Sequence, residues 1–102
     1  ADLEVKIKAV LNVYVPSAFT PNGDGVNDSF FVEGFAIDFN NFEFLIFDRW
    51  GTLMYRTIEN KAWDGTYKGE LAPQDVYVYR IRLRGLGDKK DNEYEGHFSL
   101  LQ

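Results

Sequence analysis

Apolar and polar residues alternate from the start of the chain, where Leu3, Val5, Ile7, Ala9, Leu11 and Val13 interleave with Glu4, Lys6, Lys8 and Asn12. A period of two puts apolar side chains on one face of a strand and charged ones on the other. Tyr14 and Val15 extend this strand to Pro16, which has no N–H for a sheet ladder and so ends the strand or sits at an edge. Ser29 to Val32 is a second short β-rich run, followed by Phe35, Ile37 and Phe39. Phe42 to Phe47 is apolar except at Glu43, which predicts a strand in the middle of a sheet with both faces covered. Trp50 and Gly51 signal a turn, and Thr52 to Thr57 leaves it as the second arm of a hairpin. Residues 63–69 form a longer loop of turn residues carrying large aromatics. Beyond it Tyr77, Tyr79, Ile81 and Leu83 alternate with Val76, Val78, Arg80, Arg82 and Arg84. The charged run from Asp88 to Asn92 predicts a hairpin tip, and Tyr94 to Leu101 the returning last strand. No ten-residue stretch spaces its apolar residues by three and four, so no helix beyond a turn or two is expected.

Seven to eight short strands separated by Gly, Pro and Asn predict an all-β fold, an immunoglobulin-like antiparallel β-sandwich. The chain has no Cys, so aromatic packing must replace the inter-sheet disulfide of antibody domains, and nine Phe, six Tyr and two Trp are available. With 102 residues, one domain over 1–102 is expected, residues 1–12 serving as a lead-in strand. The opening at Ala1, without an initiator Met, fits a piece of a longer protein or a processed end. The longest apolar runs are far below the ~20 residues of a membrane span, so no membrane insertion of the chain's own is expected. Eleven Lys and Arg against sixteen Asp and Glu give a net charge of −5. That balance lacks the basic footprint that nucleic-acid binding requires.

Four groups of residues invite a chemical reading. Asn22, Asp24, Asn27 and Asp28 offer side-chain oxygens within seven residues, with Gly23 and Gly25 letting the backbone fold round a hard cation, which suits calcium. The loop is shorter than an EF-hand and lacks its bidentate Glu, and the plainer account is that Asn, Asp and Gly make turns. Phe47, Asp48, Arg49, Trp50 and Gly51 read either as a binding anchor or, as the default, as an aromatic folded over a turn, with Asp48 and Arg49 in a local ion pair. Trp63, Asp64 and Gly65 invite the same comparison, Trp63 plugging one end of the core and Asp64 starting the turn. Arg80, Arg82 and Arg84 form a basic row opposite Glu93, Glu95 and His97, and mutual pairing across the hairpin is the default. His97 has no thiol or motif-placed Ser near it in sequence, no Gly-rich phosphate motif is present and no carboxylate pair stands out, so no enzyme is expected.

The wording of the motifs adds a further indication. SAFTPNGDGVNDSF at 17–30, LIFDRWGTLMY at 45–55, WDGTYKGELAPQDVYVYRI at 63–81 and the closing Gly96 to Leu101 resemble the gliding-motility-associated C-terminal domain, the type B sorting domain of the type IX secretion system of Bacteroidota. The resemblance spans about residues 13–102. Thr20, Pro21, Asn22, Gly23, Asp24, Gly25, Asn27 and Asp28 match the family's first motif, Arg49, Trp50 and Gly51 its second, and Trp63, Asp64, Gly65 and Gly69 its third. Asp48 stands where an Asn is common, and Gln102 where a basic residue is frequent. The resemblance implies a non-enzymatic address tag on a large exported passenger, recognised by the outer-membrane type IX machinery with a PorP/SprF-like partner, and a secreted or cell-surface destination by way of the periplasm. The competing reading is a calcium-stabilised adhesion or carbohydrate-binding sandwich.

Overall fold

The computed structural model describes residues 11–21 and 29–101. Within them nine strands follow one another: β1 (Asn12–Tyr14), β2 (Ala18–Phe19), β3 (Glu33–Phe35), β4 (Ile37–Phe47), β5 (Leu53–Thr57), β6 (Thr66–Tyr67), β7 (Glu70–Leu71), β8 (Asp75–Gly85) and β9 (Asn92–Leu100). No helix occurs among the described residues, and the all-β arrangement is compatible with an immunoglobulin-like sandwich. The count exceeds the expected seven to eight because the loop at 63–69 folds back on itself. Its Thr66–Tyr67 and Glu70–Leu71 pair as a two-residue ladder across positive-φ Lys68 and Gly69.

The main sheet has the order β2-β9-β8-β4-β5, with β2 parallel to β9 and every other pair antiparallel. Its frame is the β8–β9 hairpin, in register from Asp75↔Leu100 to Leu83↔Asn92, with the charged tip where the sequence places it. Period two operates as expected on β8: Tyr77, Ile81 and Leu83 are buried, and Arg80 and Arg82 stand in solvent. On β4, Phe42, Phe44 and Ile46 are buried, whereas Glu43, Leu45 and Phe47 are only half covered. Phe42–Phe47 is therefore central, but just one of its faces is sealed, which corrects the expectation of two covered faces. The second layer is small, and its buried members Phe30, Val32 and Trp63 join only the inner-face cluster with Phe44, Ile46, Ile81 and Phe98.

That layer contains the β1–β3 pair, the β6–β7 pair and an isolated antiparallel bridge between Phe30 and Trp63. The long lead-in strand is seen only as Asn12–Tyr14; its first ten residues lie outside the described ones. In the β1–β3 pair Gly34 sits opposite Val13 so closely that a Cβ there would collide with the backbone carbonyl of Asn12 and the Ile37 methyl. A backbone obstacle cannot swing away as a side chain can. Overpacking of this kind costs about 1–3 kcal/mol. Gly34→Ala should therefore separate β1 from β3, lowering the thermal midpoint and accelerating amide exchange at Asn12 and Tyr14; unchanged protection would refute it.

Candidate functional site

Each of the three motifs has a local physical origin. At the β4–β5 turn, the Asp48 carboxylate Oδ1 accepts the backbone N–H of Trp50 at 2.9 Å and of Thr52 at 2.8 Å. The Asp48 carbonyl accepts from Gly51 N at 3.1 Å, and Asp48 N donates to Thr52 O at 2.9 Å. Gly51 adopts φ 86°, the left-handed region that glycine enters without steric cost. Asp48 is thus the fastener of the turn and does not pair with Arg49, as the sequence suggested. Arg49 instead reaches Asp75 Oδ2 at 3.5 Å, and its guanidinium lies 5.6 Å from the Trp50 ring centroid. Trp50 is 83% exposed. Packing over the turn was the default for it and is incorrect: four hydrogen bonds fix the turn's backbone between Asp48 and Thr52, and the ring stands in solvent.

The third motif behaves in the opposite way. Trp63 is 1% exposed and lies 5.8 Å from the ring of Phe19, 5.8 Å from Tyr77 and 6.2 Å from Phe98, centroid to centroid. Its indole N–H donates to Thr66 O at 2.9 Å, giving the buried polar end the partner it needs. Its backbone N–H and C=O pair with Phe30 at 2.8 and 3.0 Å. Asp64 Oδ1 accepts from Thr66 N at 3.0 Å and from Thr66 Oγ1 at 2.6 Å. Those bonds, first the hydroxyl and then the amide, hold its carboxyl below the ordinary value of 3.8. Gly65, at φ 85°, leaves room that a Cβ would take from Pro21 and Phe19. Here the reading of Trp63 as a core plug and Asp64 as a turn starter agrees with the structure.

Of the first motif, Thr20 and Pro21 are half-buried. Asn22, Gly23, Asp24, Gly25, Asn27 and Asp28, including all four calcium candidates, lie outside the described residues. Among the described residues no group of three or more His, Asp or Glu side chains is placed to hold a metal ion. The basic row pairs internally. Arg80 meets Glu95 at 3.8 Å and Arg84 meets Asp91 at 2.9 Å. Arg82 and Arg56 share Glu43, at 3.8 and 2.9 Å, so Arg82 turns to β4 instead of to Glu93 across the hairpin. His97 stands opposite Val78 and not opposite an arginine.

Asn60 escaped the sequence reading. Its side-chain amide accepts from Val32 N at 3.1 Å and donates to Val32 O at 2.7 Å, substituting for a neighbouring strand. The available signal was an Asn in a polar connection, where the left-handed conformation it adopts at φ 54° is tolerated. The aromatic cluster, the Asn60 clasp and the Asp48 turn together make an all-β frame that leaves the Trp50 turn in solvent. The chain matches the family model described as the CHU_C type IX secretion signal domain over residues 13–100, and it belongs to that family. Such a signal implies export, to the medium or the cell surface, and interaction with the type IX machinery. Comparison with curated proteins and with solved structures returned no match.

Two outcomes follow for this region. Trp63→Ala should lose about 3–5 kcal/mol by urea unfolding, the usual cost of truncating a large buried aromatic, whereas Trp50→Ala should stay within about 0.5 kcal/mol of the parent. Because the Asp64 carboxyl is depressed in the folded chain, its stabilisation is present above the ordinary carboxylate range and is lost as pH falls through the folded value. The gap in melting temperature between the parent and Asp64→Ala should be open at neutral pH and close in strong acid; a gap independent of pH would contradict the assignment.

Proposed function

We propose that the chain is a non-enzymatic C-terminal sorting tag, recognised as a folded surface, that delivers a large exported passenger to the outer-membrane type IX machinery for secretion or surface display. The finer placement we infer is the type B, gliding-motility-associated subclass of Bacteroidota. Its passenger crosses the inner membrane by the general secretory route and meets a PorP/SprF-like partner at the outer membrane.

The observation that carries a folded rather than a linear signal is the position of the motif residues. Pro21 of the first motif approaches Gly65 of the third, and Phe30 is bonded through its backbone to Trp63. Residues more than thirty positions apart in sequence form one structure, so the described motif positions Pro21, Trp63, Asp64 and Gly65 are constrained by folding itself. An unfolded tail would have no reason to require Gly65 at φ 85° or a sealed indole. Residues 1–102, fused behind a reporter bearing an inner-membrane export signal, should carry the reporter out of a type IX-competent bacterium. The same fusion with Trp63→Ala should stay in the periplasm or be degraded. Periplasmic retention of the parent fusion would refute the sorting role.

A further inference from the structure

Among the described residues no layer covers the outer face of the main sheet, and that face is divided in two. One half is charged, and its groups are already satisfied by one another: Arg56 and Arg82 on Glu43, and Arg80 on Glu95. The other half is apolar. Phe47 sits opposite Val78 on one side and Leu53 on the other, forming a row across three strands. Val76 extends that row along β8, and the Arg49–Trp50 turn lies next to it, with Arg49 3.5 Å from Asp75. Trp50, Leu53 and Val76 are 83%, 44% and 46% exposed. A contiguous apolar patch of this kind, next to a fixed aromatic, marks an interaction surface more often than a solvated one.

Among the described residues β5 is the last strand of the main sheet, and its outer edge is blunted. It carries a bulge at Met54, between the Ile46↔Tyr55 and Phe47↔Leu53 pairs, and the charged Arg56. Both are devices that blunt an edge against added strands. The face, not the edge, is left open.

We propose that Trp50, on the turn between Phe47 and Leu53 and with the Arg49 guanidinium over its ring, is the docking knob of this domain, and that its occupant is a protein of the export machinery. The receiving surface is an apolar pocket with a carboxylate at its rim. Charge and rigidity select this partner. The Arg49 side chain is 60% exposed, and its 3.5 Å contact with Asp75 is loose, so its positive charge remains available to an acidic group on a module that is otherwise net negative. A Trp–Arg pair is the combination that dominates interface hot spots. Because the Asp48 carboxylate fixes the turn beforehand, docking the ring costs little ordering.

This inference rests on the sorting role, and the test separates the two. The parent fusion reporting export establishes the role independently of Trp50. In the same assay Trp50→Ala and Arg49→Glu should each lower extracellular reporter about ten-fold or more, while Trp50→Phe retains most of it and all three melt within a degree or two of the parent. Full export of Trp50→Ala would overturn the knob and leave the sorting role standing. If Trp50→Ala melts early, Arg49→Glu decides, since the Arg49 side chain is 60% exposed and lies outside the core; undiminished export of that variant overturns the proposal. A parent domain that sediments as a dimer dissolved by Trp50→Ala would assign the face to a second copy. Glycan binding abolished by Trp50→Ala would assign it to sugar, and either result overturns the proposal.

Discussion

The indole of Trp63 must be removed from water on every side and still find an acceptor for its N–H, and most of the inner layer is arranged round that double demand. Thr66 O supplies the acceptor, and it is available because Asp64 binds both the amide and the hydroxyl of Thr66 and so curls the chain back beneath the ring. Phe19, Tyr77 and Phe98 form walls, and Phe30 closes the backbone side. The arrangement takes the place of a disulfide. It joins β2, the 29–32 segment, β8 and β9 through one residue, by contacts that exist only once all four are assembled. The cooperativity is correspondingly high, and loss of any wall exposes a large aromatic surface.

The strands were legible wherever one face met the core and the other met water, because a period of two is then written directly into the residues. Val76 to Leu83 is the clearest case, with Tyr77, Ile81 and Leu83 buried, Val76, Arg80 and Arg82 exposed, and only Val78 and Tyr79 intermediate. Phe42 to Phe47 was misjudged in one respect: a nearly all-apolar run implies cover on both sides only if something is available to supply it. No local pattern reports how much of a sheet the second layer reaches. The same limit explains Trp50. A Trp beside a Gly turn has identical local spelling whether it folds inward or stands out, and the outcome is decided by which backbone groups Asp48 captures. Trp63 was read correctly because burial is the usual fate of a Trp.

Two residues of one type thus occupy opposite extremes of exposure, and the contrast separates frame from contact surface. Sequence motifs alone cannot make that division, since a Trp with a Gly one or two residues on stands at both positions. A residue such as Gly65 is restricted by a positive φ and by the nearness of Pro21 and Phe19, which are demands of folding. Trp50 is under no such demand: its ring contributes almost nothing to the core, yet four hydrogen bonds to and from Asp48 hold its turn in place.

An exposed Trp is expensive to maintain, because it invites association with any apolar surface, and the cost is tolerable only where association is the purpose. The neighbouring charged half of the sheet limits where such association can occur. Its ion pairs are individually weak in solvent, but breaking the Glu43 pair of arginines to bury them under an apolar partner would strand charges without compensation. A partner is therefore directed away from the charged half toward the row formed by Leu53, Phe47 and Val78, where desolvation is favourable. For the docking proposed on this face, the fixed charges on one side and the Arg49–Trp50 turn on the other restrict the angle of approach.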